Sequence, residues 1–144
     1  MRITRVEDIM TDVVETLQVG DTLSTARRQA SRGEIHHLPV VDAGERIIGL
    51  ITYHRILEAW IGPGHPNANS GAQVAGDIRV ETVMEKDVLT VDVETSAAEA
   101  ARLLDNNKFG SLPVTKDEKL VGIITAGDFV RVALRYLERE LHQM

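Results

Sequence analysis

The 144-residue chain has no cysteine, one Trp, two Tyr and two Phe. Without cysteine it can form no disulfide framework, no thiolate metal site and no cysteine nucleophile. So few aromatics leave an aliphatic core. Positive charge is also short: 16 Lys and Arg stand against 22 Asp and Glu, a net charge of −6. That balance disfavours nucleic acid and anionic membrane as partners. Long apolar runs are missing. The greasiest stretch, Ile47-Ile48-Gly49-Leu50-Ile51, has strand length, far below the ~20 residues of a membrane helix. Charges at Arg2, Arg5, Glu7 and Asp8 come too early for the apolar core of a signal peptide. The expectation is a soluble, cytoplasmic protein. Its 43% apolar and 26% charged residues are those of a folded chain.

What the chain does have is a repeat, the first thing to look for in a sequence. Arg5-Val6-Glu7-Asp8-Ile9-Met10 returns as Arg79-Val80-Glu81-Thr82-Val83-Met84, an offset of 74. The same offset carries Val14, Thr16 and Val19 onto Val88, Thr90 and Val93, and Leu38-Pro39-Val40 onto Leu112-Pro113-Val114. One residue is then lost in a turn, and Gly49-Leu50-Ile51-Thr52 falls on Gly122-Ile123-Ile124-Thr125 at an offset of 73.

Each half predicts the order strand, helix, strand, strand, helix. In the first, β-rich Val13–Leu17 is a strand and Thr22–Arg32 a helix. Leu38–Asp42 is a strand that Pro39 places at an edge or an opening position, since proline donates nothing to a ladder. Ile47–Thr52 is a strand apolar on both faces, and Tyr53–Trp60 a helix. In the second, Ser96-Ala97-Ala98-Glu99 forms a capping box ahead of the helix Ala97–Asn107. Strands follow at Leu112–Thr115 and Leu120–Thr125. The last helix, Gly127 to Leu141, carries Phe129, Val130, Ala133, Leu134, Leu137 and Leu141 along one stripe, free to pack on the other half or on a second copy. The expected divisions are 1–62, a Gly/Pro/Asn-rich linker at 63–74, and 75–144. Halves this small do not bury a sufficient core alone. They are expected to pack about a pseudo-twofold axis, with ligand clefts where they meet.

The ordered motifs resemble a tandem pair of CBS domains. The pattern is Val-x-x-Ile/Val-Met, Val-x-Thr, a short helix, Leu-Pro-Val, then Gly-φ-φ-Thr-x-x-Asp, where φ is apolar. The second half matches throughout, ending Gly122-Ile123-Ile124-Thr125-Ala126-Gly127-Asp128. The first half departs at its last position, where Arg55 replaces the Asp, and His54 replaces Gly127. The resemblance implies an α+β fold of two β-α-β-β-α repeats. It implies a non-catalytic regulatory module that binds AMP, ADP, ATP or S-adenosylmethionine, requires no cofactor, forms homodimers and reports to a regulated protein. The alternative is a structural dimerisation module with no nucleotide.

Carried onto this chain, the resemblance gives Asp128 to the ribose hydroxyls, with a helix N-cap as its ordinary competing role. Thr125 serves the sugar or a phosphate, and Gly127 lets a ligand approach the backbone. Asp87, Val88 and Leu89 line the adenine, with Leu112 and Pro113 closing the slot; Val88 and Leu89 are equally readable as ordinary core strand residues. Gly110 and Ser111, with Lys108 and Phe109, precede the Leu-Pro-Val strand where phosphate is met. In the first half the equivalent contacts are His36, His37, Thr52, His54 and Arg55. A guanidinium offers no acceptor lone pair, so Arg55 cannot copy Asp128. In order of preference, the first cleft is empty with Arg55 paired to a carboxylate such as Glu58, or takes a phosphate-rich group, or holds adenosine weakly. One strong nucleotide site per chain is therefore expected.

No enzyme chemistry emerges. Gly-x-x-x-x-Gly-Lys, Gly-x-Gly-x-x-Gly and Gly-x-Ser-x-Gly are all absent, which removes the P-loop, dinucleotide and nucleophile-elbow readings. His36, His37 and His54 have no carboxylate pattern to complete a metal set.

Overall fold

A computed structural model describes residues 3–12, 15–33, 36–61, 75–107 and 110–143. The expected linker at 63–74, and Lys108 and Phe109, lie outside them. The described strands are β1 (Leu17–Gln18), β2 (His37–Val41), β3 (Ile47–Thr52), β4 (Val91–Asp92), β5 (Ser111–Lys116) and β6 (Lys119–Thr125). The helices are α1 (Leu23–Gly33), α2 (Tyr53–Ile61), α3 (Ala97–Asn107) and α4 (Ala126–His142). Two three-stranded sheets result, in the orders β1-β2-β3 and β4-β5-β6, each with one parallel and one antiparallel pair. The mixed α+β architecture and its repetition agree with the sequence.

Two local expectations need correction. The first strand is Leu17–Gln18 rather than Val13–Leu17: Glu15 and Thr16 are not in a strand, and Val13 and Val14 lie outside the described residues. Pro39 belongs to the central strand of its sheet. The chain tolerates it because β1 pairs only with Val40 and Val41, so at Pro39 the ladder has a partner on the β3 side alone, Leu50. Pro113 repeats the arrangement, opposite Ile123 and outside the reach of β4. In the capping box, Glu99 N–H donates to Ser96 Oγ at 3.0 Å, while the Glu99 carboxylate pairs with Arg102.

The chain packs as two compact units, Glu15–Val88 and Met1–Val14 with Leu89–Met144. These cuts differ from those of the sequence repeat. The segment that opens each repeat packs with the sheet of the other.

In the 15–88 unit, Leu17, Leu23, Ala26, Ala30, Leu38, Val40, Ile51 and Ile56 close around Val80 of the lead-in segment. Glu85 exchanges backbone hydrogen bonds with Leu50 at 2.8 and 3.0 Å, adding a bridge along β3.

The second unit repeats this with Val91, Val93, Ala100, Leu112, Val114 and Ile124 around Val6. Thr11 exchanges bonds with Ile123 at 2.9 and 3.1 Å. Its hairpin turns through Asp117 and Glu118, both at positive φ (52° and 68°), the geometry of a two-residue type I′ loop.

Candidate functional site

The β6–α4 junction is the most organised polar feature of the second unit. Thr125 ends β6 in an extended conformation and is the N-cap of α4. Its hydroxyl accepts from Asp128 N–H at 3.3 Å, and Asp128 Oδ2 accepts from Thr125 N–H at 2.8 Å. This reciprocal pair is a capping box. Asp128 is thus the third helical residue of the box and not itself the cap. Only 5% of the residue is exposed, while Arg131, one turn along, is 64% exposed and holds the other carboxylate oxygen, Oδ1.

Ser111 stands directly across the sheet from Thr125, so their side chains share a face. It is 1% exposed, and among the described residues its hydroxyl has no hydrogen-bond partner. An orphaned buried hydroxyl is costly, on the order of 1–3 kcal/mol, and calls for an explanation. Gly127 adds a second clue. A Cβ built there would meet nothing nearer than Thr125 Oγ1 at 3.5 Å and Arg131 at 3.6 Å, ordinary contacts. The protein's own packing does not demand a glycine at this place.

Leu112 and Pro113 are buried next to Ser111, and Gly110, at φ 74°, leads into the strand. Leu89 packs on the core of the same unit. Asp87 is exposed and Val88 half-buried, and both fall in the other unit. The structure therefore gathers Thr125, Gly127, Asp128, Ser111, Leu112 and Pro113 on one unit and leaves Asp87 and Val88 with the other. Sequence reasoning missed Arg131. Its signal was the three-residue spacing from Asp128, which puts both side chains on one helical face.

The 15–88 unit holds the same constellation with its chemistry inverted. His37 stands across from Thr52, where the other unit has Ser111 and Thr125. Thr52 Oγ1 accepts from Arg55 N–H at 3.0 Å. Arg55 and Glu58 form an ion pair at 2.9 Å, as the sequence suggested, and Arg55 Nε also donates to the Val83 carbonyl at 3.1 Å. Base and acid have exchanged places relative to Asp128 and Arg131. His54 is exposed, 3.8 Å from Glu58; His36 is exposed, its carbonyl accepting from Tyr53 N–H. Burial, and secondarily the neighbouring His36, pushes the His37 imidazole below its ordinary value. At neutral pH it offers a hydrogen bond rather than a charge. Among the described residues, no three His, Asp or Glu side chains are grouped to hold a metal, and no helix is long and apolar enough to cross a membrane.

Comparison with known proteins places these features in a family. The CBS domain family model matches residues 6–62 and 77–135. An uncharacterized protein of Methanocaldococcus jannaschii is 30% identical over 155 aligned residues, covering 100% of this chain and 36% of that protein. This chain thus spans about a third of that relative's length. Among solved structures, a putative acetoin utilization protein from Vibrio cholerae has 33% identity and a TM-score of 0.79, with 96% of each chain covered. Protein CBSX2, in complex with AMP, has 27% identity and a TM-score of 0.77, covering 92% of this chain and 97% of that one. The CBS domain pair of protein MJ0100, in complex with 5′-methylthioadenosine and S-adenosyl-L-methionine, has 25% identity and a TM-score of 0.74, covering 91% and 96%.

Proposed function

The chain belongs to the CBS domain family, and on that premise we propose that it is a non-catalytic regulatory module that binds an adenosine-containing ligand at the β6–α4 junction. The carrying observation is the buried Asp128 carboxylate beside the unpartnered Ser111 hydroxyl. A vicinal diol supplies the two donors that a carboxylate accepts. Ser111 supplies a donor and acceptor already desolvated, so pairing it with ligand removes a penalty the free protein carries. Relatives in complex with AMP and with S-adenosyl-L-methionine support the ligand class. In this reading, Thr125, Gly127, Asp128, Gly110 and Ser111 contact sugar and 5′ substituent, while Leu112, Pro113 and Leu89 offer apolar surface to the base. The inverted chemistry of His37, Arg55 and Glu58 supports one strong site per chain. Ligand acts by population shift, stabilising the conformation that a regulated protein recognises. The setting is the cytoplasm.

Thermal denaturation with AMP, ADP, ATP and S-adenosylmethionine tests this. A ligand at a hundredfold excess over its Kd adds about 2.7 kcal/mol and raises the midpoint. If none of the four moves it, the structural dimerisation reading replaces this one. That reading has its own support, since Val130, Leu134, Leu137 and Leu141 of α4 are all exposed. A homodimer covering this stripe is compatible with ligand binding and belongs to the proposal.

A further inference from the structure

We propose that Arg131 is a ligand-selecting residue that makes this site prefer a 5′-phosphorylated adenosine over a neutral or sulfonium-bearing one. The inference rests on the adenosine reading above and deepens it.

The two oxygens of Asp128 are not equivalent. Oδ2 is committed to the fold through Thr125 N–H at 2.8 Å and Thr125 Oγ1 at 3.3 Å. Among the described residues, Oδ1 is held by Arg131. A ribose diol that binds Asp128 must use Oδ1, so the guanidinium has to move aside. The guanidinium end is solvated and can turn aside, whereas the Asp128 carboxylate is buried and would be costly to leave without a donor; the diol supplies that donor in place of the guanidinium.

The displaced guanidinium is not lost to solvent. Arg131 lies on the first two turns of α4, with its Nη1 3.6 Å from the position a Gly127 Cβ would take. It remains over the backbone that a ligand would approach. There it joins the positive end of the α4 dipole and the unpaired Ser111 hydroxyl, three features that favour an anion. A 5′-phosphate gives the guanidinium a new partner, with the paired, planar geometry that arginine matches well. A 5′-methylthio group gives it none. A sulfonium sets a second cation beside it. The exchange of Asp128 for phosphate is neutral in charge only with a phosphorylated ligand.

The 15–88 unit shows the converse. There Glu58 occupies the Arg131 position and Arg55 the Asp128 position, with Arg55 further tied to the Val83 carbonyl. The acceptor for a diol and the cation for a phosphate have each been replaced by their opposite.

Calorimetry on the full chain, with adenosine, AMP, 5′-methylthioadenosine and S-adenosylmethionine, tests the inference against Arg131→Ala and Arg131→Lys. Arg131→Lys keeps a cation for the buried Asp128 carboxylate and should stay near the wild-type urea midpoint, whereas Arg131→Ala leaves Oδ1 without that partner and should lower it; that both variants remain folded is checked first. Wild type should bind AMP at least about tenfold more tightly than adenosine, the strength of one charge-assisted contact. Arg131→Ala should bring AMP and adenosine within about threefold of each other, with adenosine affinity unchanged or improved. Arg131→Lys should keep part of the AMP preference and lose it faster with salt. An unchanged AMP-to-adenosine ratio in Arg131→Ala overturns the role of Arg131 and leaves the site standing. So does a wild type that favours either sulfur ligand over AMP. A wild type that binds none of the four overturns the site itself and this inference with it.

Discussion

Gly122 of β6 lies against the Met10 side chain, so closely that a Cβ at Gly122 would come within 2.7 Å of Met10 Sδ and 2.8 Å of the Thr11 carbonyl oxygen. Met10 stands in the lead-in segment of the first sequence repeat, and Gly122 in the last strand of the second. The same contact recurs between Met84 and Gly49 in the other unit, where a Cβ would meet Met84 Cγ at 2.7 Å. A methionine on the lead-in segment and a glycine on the hairpin strand form one device, used twice. The glycine is there for close approach, and its backbone angles are not in the left-handed region.

Alanine at the two glycines should therefore destabilise, and unequally. At Gly122 one obstructing atom is backbone, which cannot swing away; overpacking of this kind typically costs ~1–3 kcal/mol. At Gly49 the three nearest atoms all belong to the flexible Met84 side chain. Gly49→Ala should cost less, and Met84→Ala in that background should recover part of the loss. Urea midpoints of the three variants decide the order.

Asp128 has a structural and a proposed binding role, and substitution separates them. Asp128→Ala removes the acceptor for Thr125 N–H and half of the capping box, a loss of about 1–2 kcal/mol. Asp128→Asn keeps an acceptor for Thr125 N–H and should fold with a smaller loss. Both should lose adenosine-ligand affinity by tenfold or more, since neither offers a carboxylate to the diol. Denaturation alongside calorimetry reads the two effects independently, and full affinity in the asparagine variant would remove Asp128 from the site.

How much of this was legible in the sequence depends on whether the cause was local. The strand Ile47–Thr52 and the helices at Leu23–Gly33 and Ala97–Asn107 follow from apolar periodicity and turn residues, and emerge close to their expected bounds. Pro39 was misplaced because its tolerance depends on the length of β1, a property of another segment. The exchange of lead-in segments was invisible for the same reason: nothing local to Val6 or Met10 says which hairpin they cover. At the site, the motif pointed to Asp128 and Thr125. The Arg131 pairing and the orphaned Ser111 hydroxyl needed the register that sets Ser111 opposite Thr125.

Acid should destabilise the 15–88 unit through His37. Burial holds its folded-state value below the 6.5 of an ordinary histidine, so above pH 6.5 the group is neutral in both states and full stability is present. As pH falls below 6.5 the unfolded chain takes up the proton first, and stability falls until pH drops below the folded value. Asp8 is also lowered, chiefly by backbone N–H donation from Arg5 and then Thr4. Its linked loss begins only near the 3.8 of an ordinary aspartate, well separated from the histidine window. Urea midpoints from pH 7.5 to 5 should fall in the wild type and fall less in His37→Gln. Parallel curves for the two proteins would show that His37 is not the cause.

The exposed stripe of α4 predicts an oligomer that can be broken without unfolding the chain. Val130, Leu134, Leu137 and Leu141 follow a 4-3-4 spacing, the pattern of a helix that packs on another. Leu134→Glu with Leu137→Glu should shift the solution mass from dimer to monomer by light scattering. Both residues are more than half exposed in the single chain, so a folded monomer is expected to persist by circular dichroism. An unchanged mass distribution would show that the stripe is not the dimer surface.

The Arg55–Glu58 pair should matter little to stability and nothing to ligand binding. Both side chains are about half exposed, at 49% and 53%, and pairs of this kind contribute ~0–1 kcal/mol because water screens the attraction and two long side chains must be held still. Glu58→Ala should therefore shift the urea midpoint only slightly. Arg55→Ala should cost somewhat more, since Arg55 also donates to the Val83 carbonyl and so ties α2 to the lead-in segment of its unit. Neither variant should change the affinity or the stoichiometry of AMP binding, expected at one per chain. A fall in AMP affinity in Arg55→Ala, or two equal sites in the wild type, would mean that the inverted constellation binds nucleotide after all, through contacts other than a carboxylate on the ribose.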